Sequence, residues 1–279
     1  MVRGGDSLWD RRGRRFGAVV RVPPSWPEVG EGDRVRPGYP EELFDDLVAL
    51  LPGDRVVEVG AGTGGATARL VARGVRPCCV EPDPRMVEVL TERLGALPGG
   101  RPGGGVLVRE STFEEWSARD PGGWDALVSA QAWHWTNPAT RWARAARVLR
   151  RGGLLALLWN VERWGERPEH AVVDRVLARY GEAPLAVAAR VSPEARGWPA
   201  REIAALPEFD GPRVRGYRWS RWWQAREFAA YRSVTPAFRA MPERRREALV
   251  ADIAAALLEE NGGRLRLDWD THLFLARRV

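Results

Sequence analysis

The sequence contains no lysine, and all 43 of its strongly basic side chains are arginines. That absence removes Schiff-base catalysis, a P-loop lysine and the Tyr-x-x-x-Lys pair of a dehydrogenase. Cysteine is almost missing too. Cys78 and Cys79 are adjacent in an apolar run, and neighbours in a strand face opposite ways, so they do not bridge each other and form no zinc spacing. They read as small buried hydrophobes in a reducing cytoplasm. The three histidines, His134, His170 and His272, form no histidine–acid cluster with metal-ligand spacing, so no metal is expected. No apolar run is long enough to span a bilayer, and no membrane partner is expected. The segment "RRGRRFGAVVRVPP" has the twin arginines of an export signal, but its apolar run is short and Pro23-Pro24 closes it, which argues against a signal peptide.

What is present suits a globular chain. A length of 279 residues allows one α/β domain with a sizeable core and a small insertion, and 44% hydrophobic with 29% charged residues is ordinary. The net charge of +6 invites a nucleic-acid reading. However, the arginines run along the whole chain with heavy Ala, Gly, Pro and Trp use. That pattern is the imprint of a GC-rich genome, not of a patch built for phosphates, and no nucleic-acid partner is expected. No feature sets an oligomeric state.

Along the chain, residues 1–40 are too rich in Arg, Gly and Pro to form one regular element. "PEELFDDLVALL" places Leu43, Phe44, Leu47, Leu50 and Leu51 on one helical face. Then strands and helices alternate. "RVVEVG", "RPCCVEP", "GGVLVRE", "GWDALVSA" and "LLALLWN" read as five strands. The helices between them include Gly65 to Arg73, a segment capped by Asp83 with Pro84 at its first position, and one from Pro138 to Leu149. Continuous apolar strands between amphipathic helices predict a doubly wound, mostly parallel sheet that binds its ligand at the carboxyl ends of the strands. Residues 161–210 look mostly helical. "PRVRGYRWSRWW" and "RLRLDWDTHLFLARR" predict two late strands, the last antiparallel, with helices between them.

The stretch "VVEVGAGTGGATARLVARG", residues 56–74, admits two ligands. As Gly60-x-Gly62-x-x-Gly65 it fits a dinucleotide fingerprint, and as Glu58-x-Gly60-x-Gly62-Thr63-Gly64 it fits a loop for S-adenosylmethionine (SAM). Both need bare backbone. A pyrophosphate would be repelled by an acid beside the turn. Glu58, at the strand tip, suits a ligand carrying ammonium and sulfonium charges. Its other reading is a carboxylate that only orients the loop. Glu81 ends the second strand, where an acid accepts ribose hydroxyls, and does so under either hypothesis.

The ordered segments "EVGAGTGG", "VEPDPRM", "ESTFEEW", "WDALVSAQAWHW" and "VLRRGGLLALLWN", led by "RPGYP", resemble the successive motifs of class I SAM-dependent methyltransferases. The closest likeness is to the bacterial small-molecule subgroup similar to trans-aconitate methyltransferase. The resemblance implies a Rossmann-like seven-stranded sheet with an antiparallel last strand and a helical cap. It divides the chain into an N-terminal lid or arm over 1–40, a SAM-binding core over 41–160, a cap over the acceptor site at 161–210, and completion of the sheet with inserted helices over 211–279. It also implies roles. Gly60, Ala61, Gly62 and Gly64 approach the methionine portion of SAM, and Glu81 takes the ribose. Pro82 and Met86 lie near the adenine, Thr112 and Phe113 meet its edge, and Ala130 and Gln131 run along the methionine portion. Arg36 and Tyr39 close over the carboxylate end. The subgroup carries an aromatic residue shortly upstream of the Arg-Pro pair, where here "VPPSWPEVGEG" intervenes, so the resemblance assigns no role to Trp26.

Methyl transfer from a sulfonium needs alignment above all, and a base only for an acceptor that arrives protonated. His134, just past the fourth strand, is the candidate base; its other role is a hydrogen bond to substrate or turn. Trp133, Trp135, Trp159 and Trp164 follow strands four and five and are the candidate aromatic wall of an acceptor pocket, with His170 as a candidate lining residue. His272, inside the last strand, reads as structural. The expectation is a cytoplasmic, metal-free methyltransferase that converts SAM to S-adenosylhomocysteine (SAH) on a small hydrophobic or aromatic acceptor, in specialised metabolism. Carboxylate and carbon acceptors are variants. An NAD(P)-dependent oxidoreductase and a non-catalytic SAM-binding protein are the alternatives.

Overall fold

The computed structural model describes residues 36–95, 105–117, 121–165, 167–185 and 197–279. Most of the expected N-terminal arm, with Trp26, and part of the expected cap (residues 186–196) lie outside the described residues. Strands β1 (Val56–Val59) and β2 (Cys78–Glu81) are buried at every position, because helices cover both faces of a parallel sheet. With β3 (Leu107–Glu110), β4 (Trp124–Ala130), β5 (Leu149–Arg163), β6 (Arg213–Gln224) and β7 (Arg264–Arg277) they form a seven-stranded sheet, ordered β3-β2-β1-β4-β5-β7-β6. Strands β1 to β5 are mutually parallel, and β7 is antiparallel to both of its neighbours. This is the expected doubly wound, mostly parallel sheet.

The period of two along β5 divides the core. Leu154, Ala156 and Leu158 pack with Leu43, Phe44 and Leu47 of α1 (Glu41–Leu50) and with Ala66 and Leu70 of α2 (Gly65–Val71). Leu155, Leu157 and Trp159 face the opposite layer, which contains Ala145 and Val148 of the helix Arg141–Val148. Between these, α3 (Pro84–Gly95) follows β2, and Asp83 caps it by accepting the Arg85 N–H at 3.0 Å. The helix Arg141–Val148 is α4. Each large apolar side chain fully buried this way contributes about 1.5–3 kcal/mol.

β5 is longer than its apolar run suggests. Pairing with β4 stops at Leu158, yet β5 continues to Arg163 because Asp268 to Thr271 of β7 pair with it. The three strands β5, β7 and β6 therefore overshoot the carboxyl ends of the others. On this overhang sits a second core, Trp223, Leu265, Leu267 and Trp269 against α5 (Pro168–Arg179) and later helices. The structure distributes the helices differently from the sequence boundary at residue 210. The short α6 (Ala200–Ala204) packs against the sheet flank through Ile203, and Phe209 bridges to Arg278. The layer beyond the strand ends instead combines α5 with α7 (Ala225–Ser233), α8 (Pro236–Arg239) and α9 (Glu243–Asn261). No helix among the described residues is long and apolar enough to cross a membrane.

Candidate functional site

The chain leaves β1 towards β2 on one side, while β4 lies on the other, so a crevice opens at the carboxyl ends of β1 and β4. The loop after β1 forms its floor. Gly60, Gly62 and Gly64 all have left-handed backbone, with φ of 72°, 57° and 88°, a region that side chains resist. Gly60 also makes room for a neighbour, since a Cβ there would collide with the Cβ of Ala132, just past β4. The loop is tied down by Gly60 N–H to Val80 O at 2.8 Å and Gly64 N–H to Ala61 O at 3.0 Å.

Two carboxylates serve this loop differently. Glu81 accepts the Gly62 N–H at 2.8 Å on one oxygen and the Asp83 N–H at 3.0 Å on the other. It thereby couples the glycine loop to the β2–α3 turn. Each oxygen retains a second lone pair, which leaves capacity for a diol. Burial raises its pKa, and the two N–H groups oppose that rise. Glu58 is 1% exposed and accepts the Thr67 hydroxyl at 2.6 Å. Burial pushes it up to about 7, with the Glu81 charge adding to the rise. It lies against α2 through Thr67 and is shielded from the crevice by its burial.

The tip of β4 supplies the other wall. Ser129 Oγ donates to Val59 O at 2.8 Å and holds β4 to β1. Gln131 has a φ of 58°, unusual for a residue with a side chain, and its N–H reaches Leu158 O at 2.9 Å. That turn projects its side chain into the open. A 3₁₀ turn, Trp133–Trp135, follows. His134 is half-buried there, with its ring 4.8 Å from Trp135. Burial, then the Arg141 charge, push its pKa down to about 4.

The structure brings most of the expected residues to this crevice and corrects several. Ala61 is buried in the loop, Met86 is half-buried over Gly62, Pro82 is exposed at the rim and Ala130 ends β4. Thr112 closes its own turn by accepting the Glu115 N–H at 3.1 Å. Phe113 is not available through its ring, which is buried against Trp116 and Trp133. Trp133 is 0% exposed, because the 3₁₀ turn swings it back into the core. Trp159, at 3% exposure, is on the α4 face of β5 with Phe274. Neither forms a pocket wall. His170 is also 0% exposed. Its Nδ1 accepts the Gly165 N–H at 3.0 Å and its Nε2 pairs with Arg266 O at 2.9 Å, which leaves it nothing to offer a substrate. Trp135, 41% exposed, stays at the mouth. Trp164 stacks on His170 at 4.1 Å and donates to Asp174, so it belongs to the helical layer. Tyr39 sits edge-on to Phe44 at 5.9 Å, and Arg36 is exposed.

Sequence reasoning missed Asn160, whose amide reaches Gly38 O at 2.8 Å, and the buried pair of Glu162 with Arg232 beneath Tyr231. The only signal was a polar residue at the end of an apolar strand. No group of metal-ligating side chains occurs among the described residues.

Comparison with known proteins gives a consistent picture. Residues 57–157 match the family described as a methyltransferase domain. An uncharacterised methyltransferase of Mycobacterium tuberculosis is 43% identical over 182 residues, which cover 64% of this chain and 63% of that protein. The match thus spans less than two thirds of the relative's length. A candidate type II methyltransferase from Anaeromyxobacter dehalogenans has a structure similar to this one, with a TM-score of 0.61 and 26% identity over 87% of this chain and 97% of its own. The fold is also that of phosphoethanolamine N-methyltransferase 2 from Haemonchus contortus in complex with SAM. There the TM-score is 0.51 at 14% identity, over 90% of this chain and 56% of that one.

Proposed function

We propose that this chain is a SAM-dependent methyltransferase acting on a small molecule. The carrying observation is the side-chain-free loop whose Gly62 N–H is held by Glu81 at 2.8 Å, packed against the tip of β4. The matched family covers this segment. In this reading Glu81 takes the ribose, the backbone of residues 60–64 lies along the methionine portion, and Met86 and Pro82 border the adenine. Ala130 and Gln131 line the opposite side, and Arg36 and Tyr39 close the carboxylate end. When bound, SAM supplies an electrophilic methyl group; the protein aligns the acceptor with it. Trp135 is the exposed aromatic surface left for an acceptor after the corrections above. A carboxylate acceptor of the trans-aconitate type stays a variant of this proposal, and a cytoplasmic setting goes with it.

Basic side chains are dispersed in ion pairs, such as Arg73 with Glu41 and Asp45, and Arg163 and Arg218 with Asp270. This supports a small-molecule acceptor over nucleic acid. The buried Glu58 beside the loop disfavours a pyrophosphate, hence the NAD(P) alternative. Calorimetry with SAM, SAH and NADH tests the proposal: binding of the first two supports it, and binding of NADH alone sinks it. Transfer of radiolabelled methyl to extracted product separates an enzyme from a protein that only holds SAM.

A histidine pushed down to about 4 is neutral at pH 7 and retains a transferred proton weakly. We therefore assign His134 to orienting an acceptor that is already nucleophilic, with action as a general base as the alternative. His134→Ala should lower turnover about tenfold with SAM affinity unchanged, and the wild-type rate should show no inflection near pH 6.5. An inflection there that the variant loses would restore His134 as the base.

A further inference from the structure

A continuous hydrogen-bond chain crosses three elements at the mouth of the crevice. The Trp219 indole on β6 donates to the Thr271 hydroxyl on β7 at 2.8 Å. That hydroxyl donates to Asn160 Oδ1 on β5 at 2.6 Å, and Asn160 Nδ2 donates to Gly38 O at 2.8 Å. An indole N–H only donates and a carbonyl only accepts, so the two ends set the direction of every bond between them and the orientation of the Asn160 amide. Thr271 is fully buried, so this polar arrangement is sheltered and directional.

The segment it holds is "RPGYP", residues 36–40. Pro37 and Pro40 have no N–H to give, which limits how such a segment can secure itself. Its neighbours lie on both sides of the crevice. Gly38 is against Arg69, since a Cβ there would be 2.7 Å from Nη2, and Arg69 in turn donates to Gly65 O at 2.8 Å, the first residue after the glycine loop. The segment is therefore a strap between β5 and the start of α2 beside the glycine loop, and Asn160, on β5 just past the end of its pairing with β4, grips its middle.

We infer that Asn160 is a positioning residue that, through the Gly38 carbonyl, sets this strap across the cofactor end of the crevice. The inference rests on the methyltransferase reading. Asn160 acts through the strap and needs no contact with the reacting atoms. Thr271 and Trp219 fix the amide, so the late strands, which are distant in sequence, help set the cofactor end.

Three variants test this, with SAH as the probe. Asn160→Asp keeps the size and the acceptor for Thr271 but turns a carboxylate towards the Gly38 carbonyl. Thr271→Val removes the hydroxyl that orients the amide, and Thr271→Ser restores it. Asn160→Asp and Thr271→Val should each weaken SAH binding about tenfold by calorimetry, the first by replacing a hydrogen bond with a repulsion at the Gly38 carbonyl and the second by losing the bond that orients the amide. Hydrogen exchange at the Gly38 and Tyr39 amides should quicken in both, and Thr271→Ser should bind as wild type. A lower melting temperature with wild-type SAH affinity would reduce the chain to a structural role and overturn the inference. Wild-type protein that fails to bind SAH overturns the cofactor reading instead.

Discussion

Glu81→Ala is expected to weaken SAH binding about a hundredfold and to lower the unfolding free energy by about 2–4 kcal/mol. Both effects come from one side chain that does two things. Its oxygens accept the Gly62 and Asp83 N–H groups at 2.8 and 3.0 Å. Removing the carboxylate orphans both donors, and an unsatisfied buried donor costs about 1–3 kcal/mol. Gly62 is only half-buried, so water relieves part of that cost. The glycine loop also loses the anchor that holds its left-handed turn, and under the proposed reading the ribose loses its charge-assisted partner. Glu81→Gln should fall between the two, since an amide keeps one acceptor oxygen and presents N–H to the other donor. Calorimetry with SAH and denaturant unfolding are the measurements. Unchanged SAH affinity in Glu81→Ala would remove this residue from the site.

Glu58→Gln is expected to stabilise the protein by about 2–3 kcal/mol at pH 8 and to have almost no effect at pH 4.5. Burial moves this carboxyl from an ordinary 4.5 to about 7 in the folded chain. Between those two values the folded protein binds more protons than the unfolded one, so stability falls as pH rises through that window. The penalty is complete above pH 7 and absent below 4.5. A glutamine still accepts the Thr67 hydroxyl and never ionises. Urea unfolding of both proteins from pH 4.5 to 8 would show the wild-type curve descending away from that of the variant. A difference independent of pH would mean that Glu58 remains ionised in the fold and that its neighbours compensate the charge. A functional cost should accompany the gain, because a buried negative charge under the loop favours a cationic ligand.

The two predictions concern residues that were visible in the sequence, though for reasons the structure sharpened. Glu81 was legible as an acid ending a strand after a glycine loop, but its hold on Gly62 was not. Glu58 was legible as an acid before the loop. Its position under the loop, with Thr67, depends on the register of α2 against β1. The tryptophans were the least legible. Trp133 and Trp135 follow strand four and Trp159 lies on strand five, and only packing separates the exposed one from the two in the core. Sequence position locates a side chain along an element; which way it points after an irregular turn depends on what fills the space around it.

Sequence alone determined the parallel α/β architecture, the switch-point crevice and the bare-backbone loop, because these follow from local signals: apolar strand runs, helical periodicity and glycines where only glycine fits. Tertiary structure alone decided the overhang of β5, β7 and β6, the makeup of the helical layer and the grip of Asn160 on the strap. The Asn160 chain joins residues from about fifty to more than a hundred positions apart, and β5 pairs with β7 across a similar distance. Such pairings leave no periodicity in the chain and exist only once the strands have closed their register.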